Sequence, residues 1–347
     1  MSTADPRASV ARYDLRRVHP ALRFGTASDR YAGWMDKVYP RDVWGDRVTS
    51  RSKRVGGGSV EERMIPVESV EDYFLHFGVL ELDFPFYRPL LEPDGKPSTN
   101  LHTLIRYAEA APANARFLLK APQLFTARTL PRKSGGRLQF EENADYLDSA
   151  AFTARFVEPA KKALGPRLAG VIVEQEYARV RESPPPEAFL NSLDRFFGDV
   201  PDDVAYHLEV RSAHLLMPAY FDLLRARGLG FCFAHWTWLP PITDQWRMAG
   251  GLIAAHGESV VRLMNPREMK HDDAVRLAAP FDAPVPALSE TPEARRMVDE
   301  AVALARHAVR DGVTLNVVSS NRAWGCAPDL ARAIATRFLD VAETQGL

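Results

Sequence analysis

The sequence predicts a single α/β domain of the (β/α)8 type, a TIM-like barrel with long loops after its first and seventh strands. Three observations carry that reading. Eight short apolar runs recur along the chain, each separated from the next by a stretch that includes helical spacing. Strand and helix alternate throughout, as in a parallel sheet covered by helices, and eight such units suffice to close it into a barrel. The competing doubly wound sheet would carry a GxGxxG turn after its first strand, and none follows here. Residues 1–20 read as a polar N-terminal arm and residues 21–347 as one barrel domain, within the length range of a large α/β barrel.

The first strand is LRFGTA (22–27). The segment 40–64 after it reads as a long loop, either a solvated mobile loop or an anion-binding lid over the barrel mouth, and gathers Arg47, Arg51, Lys53 and Arg54 before three consecutive glycines. SVEDYFLHF (69–77) opens on Ser69 with Asp72 three residues later, a start resembling a capping box, and leads into the second strand, GVLELDF (78–84). TNLHTLIRYAEAA (99–111) is helical and precedes the third strand, ARFLLKA (115–121). The long helical stretch 143–164 contains Pro159, which predicts a kink or break, and the fourth strand is LAGVIVE (168–174).

PPPEAFLNSLDRFFG (184–198) starts at prolines, tolerated in a first turn, and stops at Gly198. VAYHLEVR (204–211) is the fifth strand, MPAYFDLLRARG (217–228) the next helix, and GLGFCFA (228–234) the sixth strand. Gly250 and Gly251 make 241–256 the weakest helix. SVVRLM (259–264) is the seventh strand, followed by the proline-punctuated segment 265–290. The helix 291–312, the strand VTLNVVSS (313–320) and the helix 327–343 complete the pattern.

Composition narrows the function classes. At 46% hydrophobic and 26% charged residues the chain has the make-up of a soluble globular protein, and its formal net charge of −1 gives no bulk attraction for nucleic acid or anionic membrane. Two cysteines, Cys232 and Cys326, are too few for a disulfide framework or a cysteine zinc site and read as reduced buried thiols. The N-terminus lacks the apolar core of a secretory signal, and no stretch approaches the ~18 apolar residues of a membrane span. A cytoplasmic protein without membrane attachment is the expectation. Oligomeric state has no signature.

With the strands placed, several phrases resemble the YecE-like family, catalogued as domain of unknown function 72. FGTASDRYAGWMDKVYP (24–40) is similar to that family's opening, in which a G-T-S-G-W-type phrase precedes a tyrosine–proline pair. LELDFPFYRP (80–89) resembles its V-E-x-N-x-T-F-Y-x-x-P strand end, and FLLKAPQLFT (117–126) its F-x-x-K-x-P-x-x-x-T phrase. LEVRSAHLL (208–216) matches its E-x-R motif, VVRLM its arginine-bearing seventh strand, and SSNRAWGCAPDLARAI (319–334) its N-N-x-x-x-G-x-A-P-x-x-A close. The matches run in order over nearly the whole chain. Departures mark a divergent branch. Ala127 stands where the family has histidine, Asp83 where it has asparagine, VEQEY replaces a glutamine–proline strand end, and His235 stands where it tends to have aspartate. The resemblance implies a barrel fold and a site at its mouth, and brings no established reaction with it.

Alternation along a barrel strand sends successive side chains inward and outward, and inward residues near the strands' C-terminal ends line the mouth. On the fifth strand this sends His207, Glu209 and Arg211 inward, with His207 a layer lower as a core residue. The same reading collects Glu81, Lys120, Arg262 and Asn321 at one mouth, with Tyr87 and Trp34 as aromatics able to stack on a ligand. Charges recur in such strands only where they pair or bind something, because burying one alone costs several kcal/mol.

Two function classes follow. In the first, an enzyme of hydrolase or isomerase type acts on a small anionic, phosphorylated or hydroxylated substrate. Glu81, Lys120 and Glu209 are its catalytic candidates, and Arg211, Arg262, Asn321, Tyr87 and Trp34 its substrate-binding candidates. In the second, a non-catalytic barrel binds a ligand, or nucleic acid through the cations of loop 47–54. No cofactor or metal is assigned. A metal-dependent variant would draw on Glu174 or Glu176, Glu209 and His235, which lie at or just past the ends of three consecutive strands.

Overall fold

The computed structural model describes residues 5–134 and 137–345. Among the described residues there are twelve strands: β1 (Leu22–Ala27), β2 (Thr49–Val55), β3 (Gly58–Met64), β4 (Val79–Leu82), β5 (Phe117–Lys120), β6 (Thr129–Ser134), β7 (Arg137–Glu142), β8 (Leu168–Gln175), β9 (Tyr206–Val210), β10 (Gly230–His235), β11 (Glu258–Leu263) and β12 (Thr314–Ser319). Eight of them close a parallel barrel in the order β1-β12-β11-β10-β9-β8-β5-β4. These are the eight strands expected from the sequence, and the fold is the (β/α)8 barrel.

The pleat decides what each strand residue does. Val79, Leu118, Ile172, Cys232, Val260 and Val318 form an apolar cluster inside the barrel. The outward residues Phe24, Leu80, Leu119, Leu208 and Val261 join the larger core beneath the helices. Close strand approach is bought with glycine: a Cβ on Gly25 would sit 2.0 Å from the Val79 carbonyl oxygen of the adjacent strand. Gly170 and Gly230 flank the His207 ring in the same way, where added methyls would come within 3.0 and 2.4 Å of ring atoms.

The segment expected to be a loop after the first strand is in large part an antiparallel hairpin. β2 and β3 pair from Thr49↔Met64 to Val55↔Gly58, leaving Gly56 and Gly57 as a two-residue turn with Gly56 at φ +59. Val55 and Val60 bury against Val275, Ala278, Phe281 and Leu288, which seats the hairpin on the segment after β11. That segment contains the helix His271–Ala278 and a turn of helix at Pro286–Ser289. A second hairpin, β6–β7, follows β5; no strand was expected there.

The long helical stretch breaks just ahead of Pro159, with Ser149–Phe152 and Glu158–Leu164 joined by a π-helical turn at Thr153–Val157. Ring closure removes the proline amide that an α-helical ladder would use, and the turn absorbs the mismatch. The glycine-limited helix runs Ile242–Ala249 and ends at Gly250 in the left-handed region, φ +67. N-terminal residues form the helix Pro6–Ala11 and lie against the closing helix, where Arg7 pairs with Asp340 and Glu343, each at 2.8 Å. Among the described residues no helix is long and apolar enough to cross a membrane.

Candidate site at the C-terminal mouth of the barrel

Inward side chains near the strand ends converge on one ion cluster. Arg262 on β11 reaches across the barrel to Glu81 on β4, with Nε to Oε2 at 2.8 Å and Nη2 to Oε1 at 2.6 Å. Its third nitrogen, Nη1, bonds Glu209 on β9 and stands 3.4 Å from Glu174 on β8. Arg211, one residue beyond β9, contacts both Glu174 and Glu209. Lys120, the last residue of β5, holds Glu174 at 2.9 Å. Three carboxylates therefore share three cations, and the cluster is neutral as a whole.

Burial is deep. Glu81 and Glu209 have no exposed surface, and Arg262 is 3% exposed. Lys120 Nζ lies 3.6 Å from the Phe86 ring centroid and Arg211 Cζ 3.6 Å from that of Trp236, so aromatic faces cover both cations. Burial pushes the Lys120 ammonium below its usual range, and Arg262 and Arg211 push it the same way against the pull of Glu174. Burial alone would raise Glu174, but Arg211, Lys120 and Arg262 hold its carboxyl far below the usual carboxylate range. Glu174 is thus a fixed anion, and Lys120 is the group of the pair whose proton is loosened.

The structure brings together five of the eight residues expected to form the site, namely Glu81, Lys120, Glu209, Arg211 and Arg262. Trp34 and Asn321 meet each other instead. Trp34 is fully buried and donates from Nε1 to Asn321 Oδ1 at 3.3 Å, and the same oxygen accepts from the Ala327 amide at 2.8 Å. Asn321 Oδ1 therefore serves the start of the closing helix, while Nδ2, buried, has no acceptor. Tyr87 is 75% exposed at the rim beyond β4. His207 is sealed in the barrel below the cluster, both ring nitrogens unpaired, with burial pushing its pKa down to about 4.

Two members of the site were not among the expected catalytic or substrate-binding residues. Glu174 is the carboxylate that Arg211, Arg262 and Lys120 all approach; its inward alternation with Ile172 on β8 was the signal for it. Arg322 follows Asn321 at the end of β12. Its Nε is buried without a partner, Nη2 finds only the Met264 sulfur at 3.7 Å, and among the described residues no carboxylate lies within ion-pair distance. Burial pushes this guanidinium below its usual range.

The residues of the metal variant are otherwise engaged. Glu174 and Glu209 face arginines, while His235 lies 3.0 Å from the Asn265 carbonyl through Nδ1 and 3.2 Å from Glu293 through Nε2. Among the described residues no group of three or more His, Cys, Asp or Glu side chains could hold a metal ion. The cations of 47–54 are matched in part: Arg51 and Lys53 share Glu62 at 2.8 and 3.1 Å, Arg47 lies 3.9 Å from Glu68, which Arg106 also holds, and Arg54 has no carboxylate among the described residues.

A family model described as protein of unknown function DUF72 matches residues 62–345. A DUF72 family protein from Thermotoga maritima MSB8 is similar in structure at a TM-score of 0.52 and 15% identity, over 92% of this chain and 99% of that one. Another, from Enterococcus faecalis V583, has a TM-score of 0.49 and 13% identity, over 92% and 95% of the two chains. No curated protein matches the sequence.

Proposed function

This chain belongs to the DUF72 family, and we propose that it binds a small anionic molecule at the C-terminal mouth of its barrel and acts on it by proton transfer. One observation carries the reading. Asn321 Nδ2 and Arg322 Nε, on consecutive residues at the end of β12, are buried donors without acceptors, and Arg322 is a cation without a carboxylate. A buried donor left unpaired costs about 1–3 kcal/mol, which an anionic oxygen placed there would recover.

Lys120 supplies the transferable proton. Its lowered pKa brings the ammonium and amine forms closer in energy, and Glu174 fixes its position at 2.9 Å. Arg211, Arg262, Glu81 and Glu209 form the rigid base that keeps this pair oriented. Protonating a leaving oxygen or moving a proton between carbon and oxygen both use such a group, so the reaction class is hydrolase or isomerase.

Binding without turnover is the second reading. It is favoured by the saturation of the cluster, in which Glu81, Glu174 and Glu209 all face cations and none is left free as a base. Ligand-observed NMR with inorganic phosphate and a panel of small phosphorylated and carboxylated compounds tests the anion site, with Arg322→Gln as control. Binding that survives Arg322→Gln unchanged, or none at all, would overturn it. Any compound that binds and is converted by the wild type but not by Lys120→Met decides for the enzyme.

A further inference from the structure

Exposed aromatic rings are distributed unevenly over the molecule. Among the described residues, four large aromatics are markedly exposed: Tyr87 at 75%, Phe140 at 66%, Tyr177 at 49% and Trp238 at 48%. All four lie on connections that leave the C-terminal ends of barrel strands. Tyr87 follows β4, Phe140 sits in the hairpin after β5, Tyr177 follows β8 and Trp238 follows β10. In the barrel order these strands run β4-β5-β8-β9-β10, so the rings mark one continuous arc of the rim.

The arc is built. Tyr177 and Trp238 meet at 5.7 Å between centroids, bridging the end of β9, and Arg211 stacks on Trp236 at that same strand end. The Tyr177 loop is pinned by Ser212, whose hydroxyl accepts from the Ala178 amide at 2.9 Å and lies 3.1 Å from its carbonyl. Holding apolar faces in water opposes the hydrophobic effect, and an aromatic face, negative in its quadrupole, matches a surface of polarised C–H bonds.

We propose that this arc is the binding platform for an oligosaccharide whose acidic sugar places its carboxylate at Arg322. The inference rests on the anion reading of the mouth and names the ligand class. Pyranose rings present C–H faces to aromatics and hydroxyls to polar groups around them. An arc over five strand ends is longer than one ring, which calls for a chain of sugars. A polyanion such as single-stranded nucleic acid would need a run of free cations, whereas Arg51 and Lys53 share Glu62, Arg47 faces Glu68, Arg179 and Arg181 share Glu182 at 3.7 and 3.6 Å, and of the cations of 47–54 only Arg54 has no carboxylate among the described residues. A single buried guanidinium nitrogen without a partner, that of Arg322, suits one acid group.

The test is a glycan array of uronate-bearing and neutral oligosaccharides probed with the full chain, followed by calorimetric titration of the best-bound uronate oligosaccharide and its neutral counterpart. We expect uronate-bearing chains to be retained. Trp238→Ala and Tyr177→Ala, both at the surface and so compatible with folding, should each weaken binding about tenfold. Arg322→Gln should erase the preference for the uronate over the neutral chain. No retained oligosaccharide, or affinity indifferent to both aromatic truncations, overturns the proposal. An effect of Arg322→Gln alone sinks the platform and leaves the anion site standing; an effect of the aromatics alone supports the platform and sinks the anion site. Oligothymidylate binding that falls steeply with salt would replace the saccharide by nucleic acid and overturn the proposal.

Discussion

Arg262 and Glu81, separated by 181 residues in sequence, face each other across the barrel interior in a two-bond fork of 2.8 and 2.6 Å. The fork ties β11 to β4, which are not neighbours in the barrel. Glu81→Gln breaks both bonds of the fork and leaves Arg262 only Glu209 and Glu174, with one cation in excess in the buried cluster, so it should destabilise the fold by about 3 kcal/mol in denaturant titration. Adding Arg262→Met should restore part of that loss, because Lys120 and Arg211 then again balance Glu174 and Glu209. A double variant no more stable than Glu81→Gln would refute this account.

Lys120 should titrate below the surface lysines, since burial and the two arginines disfavour its charged form. NMR of reductively 13C-methylated lysines reads this directly. In Glu174→Gln the nearby anion is lost, so the Lys120 pKa should fall further. A rise, or no change, contradicts the pairing.

Stability on the acid side should carry the mark of His207. Its folded pKa of about 4 lies below the usual imidazole value of 6.5, so the unfolded chain takes up a proton that the folded chain refuses. The stabilising contribution is complete above pH 6.5 and is lost as pH falls toward 4, by on the order of 3 kcal/mol. His207→Gln should flatten that part of the stability profile; a profile of unchanged slope speaks against a sealed neutral imidazole.

Asp29 works in the opposite direction. It is buried beyond β1, accepts from the Tyr107 hydroxyl at 2.7 Å and leaves Oδ2 without a partner. Burial, opposed by that hydrogen bond and by Arg30, raises its carboxyl to about 6. A raised folded pKa means stability present at low pH and lost as pH climbs from 3.8 through 6. Asp29→Asn keeps an acceptor for Tyr107 and should be more stable than the wild type at pH 7, by a few kcal/mol. Equal stability at pH 7 would show that the carboxylate is solvated by other means.

Gly25→Ala should fail for a reason of backbone geometry. Its Cβ would lie 2.0 Å from the Val79 carbonyl oxygen, and backbone in a closed barrel has no room to retreat. We expect a loss of several kcal/mol or no soluble protein, whereas Gly57→Ala, which meets nothing within 4 Å, should be mild.

Much of this was legible in the sequence because the governing physics is local and periodic. Alternation on the fifth strand put Leu208 and Val210 outward and His207 and Glu209 inward, with Arg211 continuing that face at the strand end, which a closed barrel enforces. The β2–β3 hairpin was local too: two glycines stand between strands whose Arg51 and Glu62 pair across the ladder. Reading the basic run as a loop overlooked that turn signal.

What the sequence by itself determined is which strands close the barrel, which way their side chains point, and that charges would gather at one end of it. Only the tertiary structure decided the partnerships. Glu174 approaches three cations because β5, β8, β9 and β11 bring Lys120, Arg211 and Arg262 around it. Arg322 stays without a carboxylate because, among the described residues, none stands within ion-pair distance of it. Charge pairing depends on distances of a few ångströms between residues far apart in the chain, and periodicity carries no information about those distances.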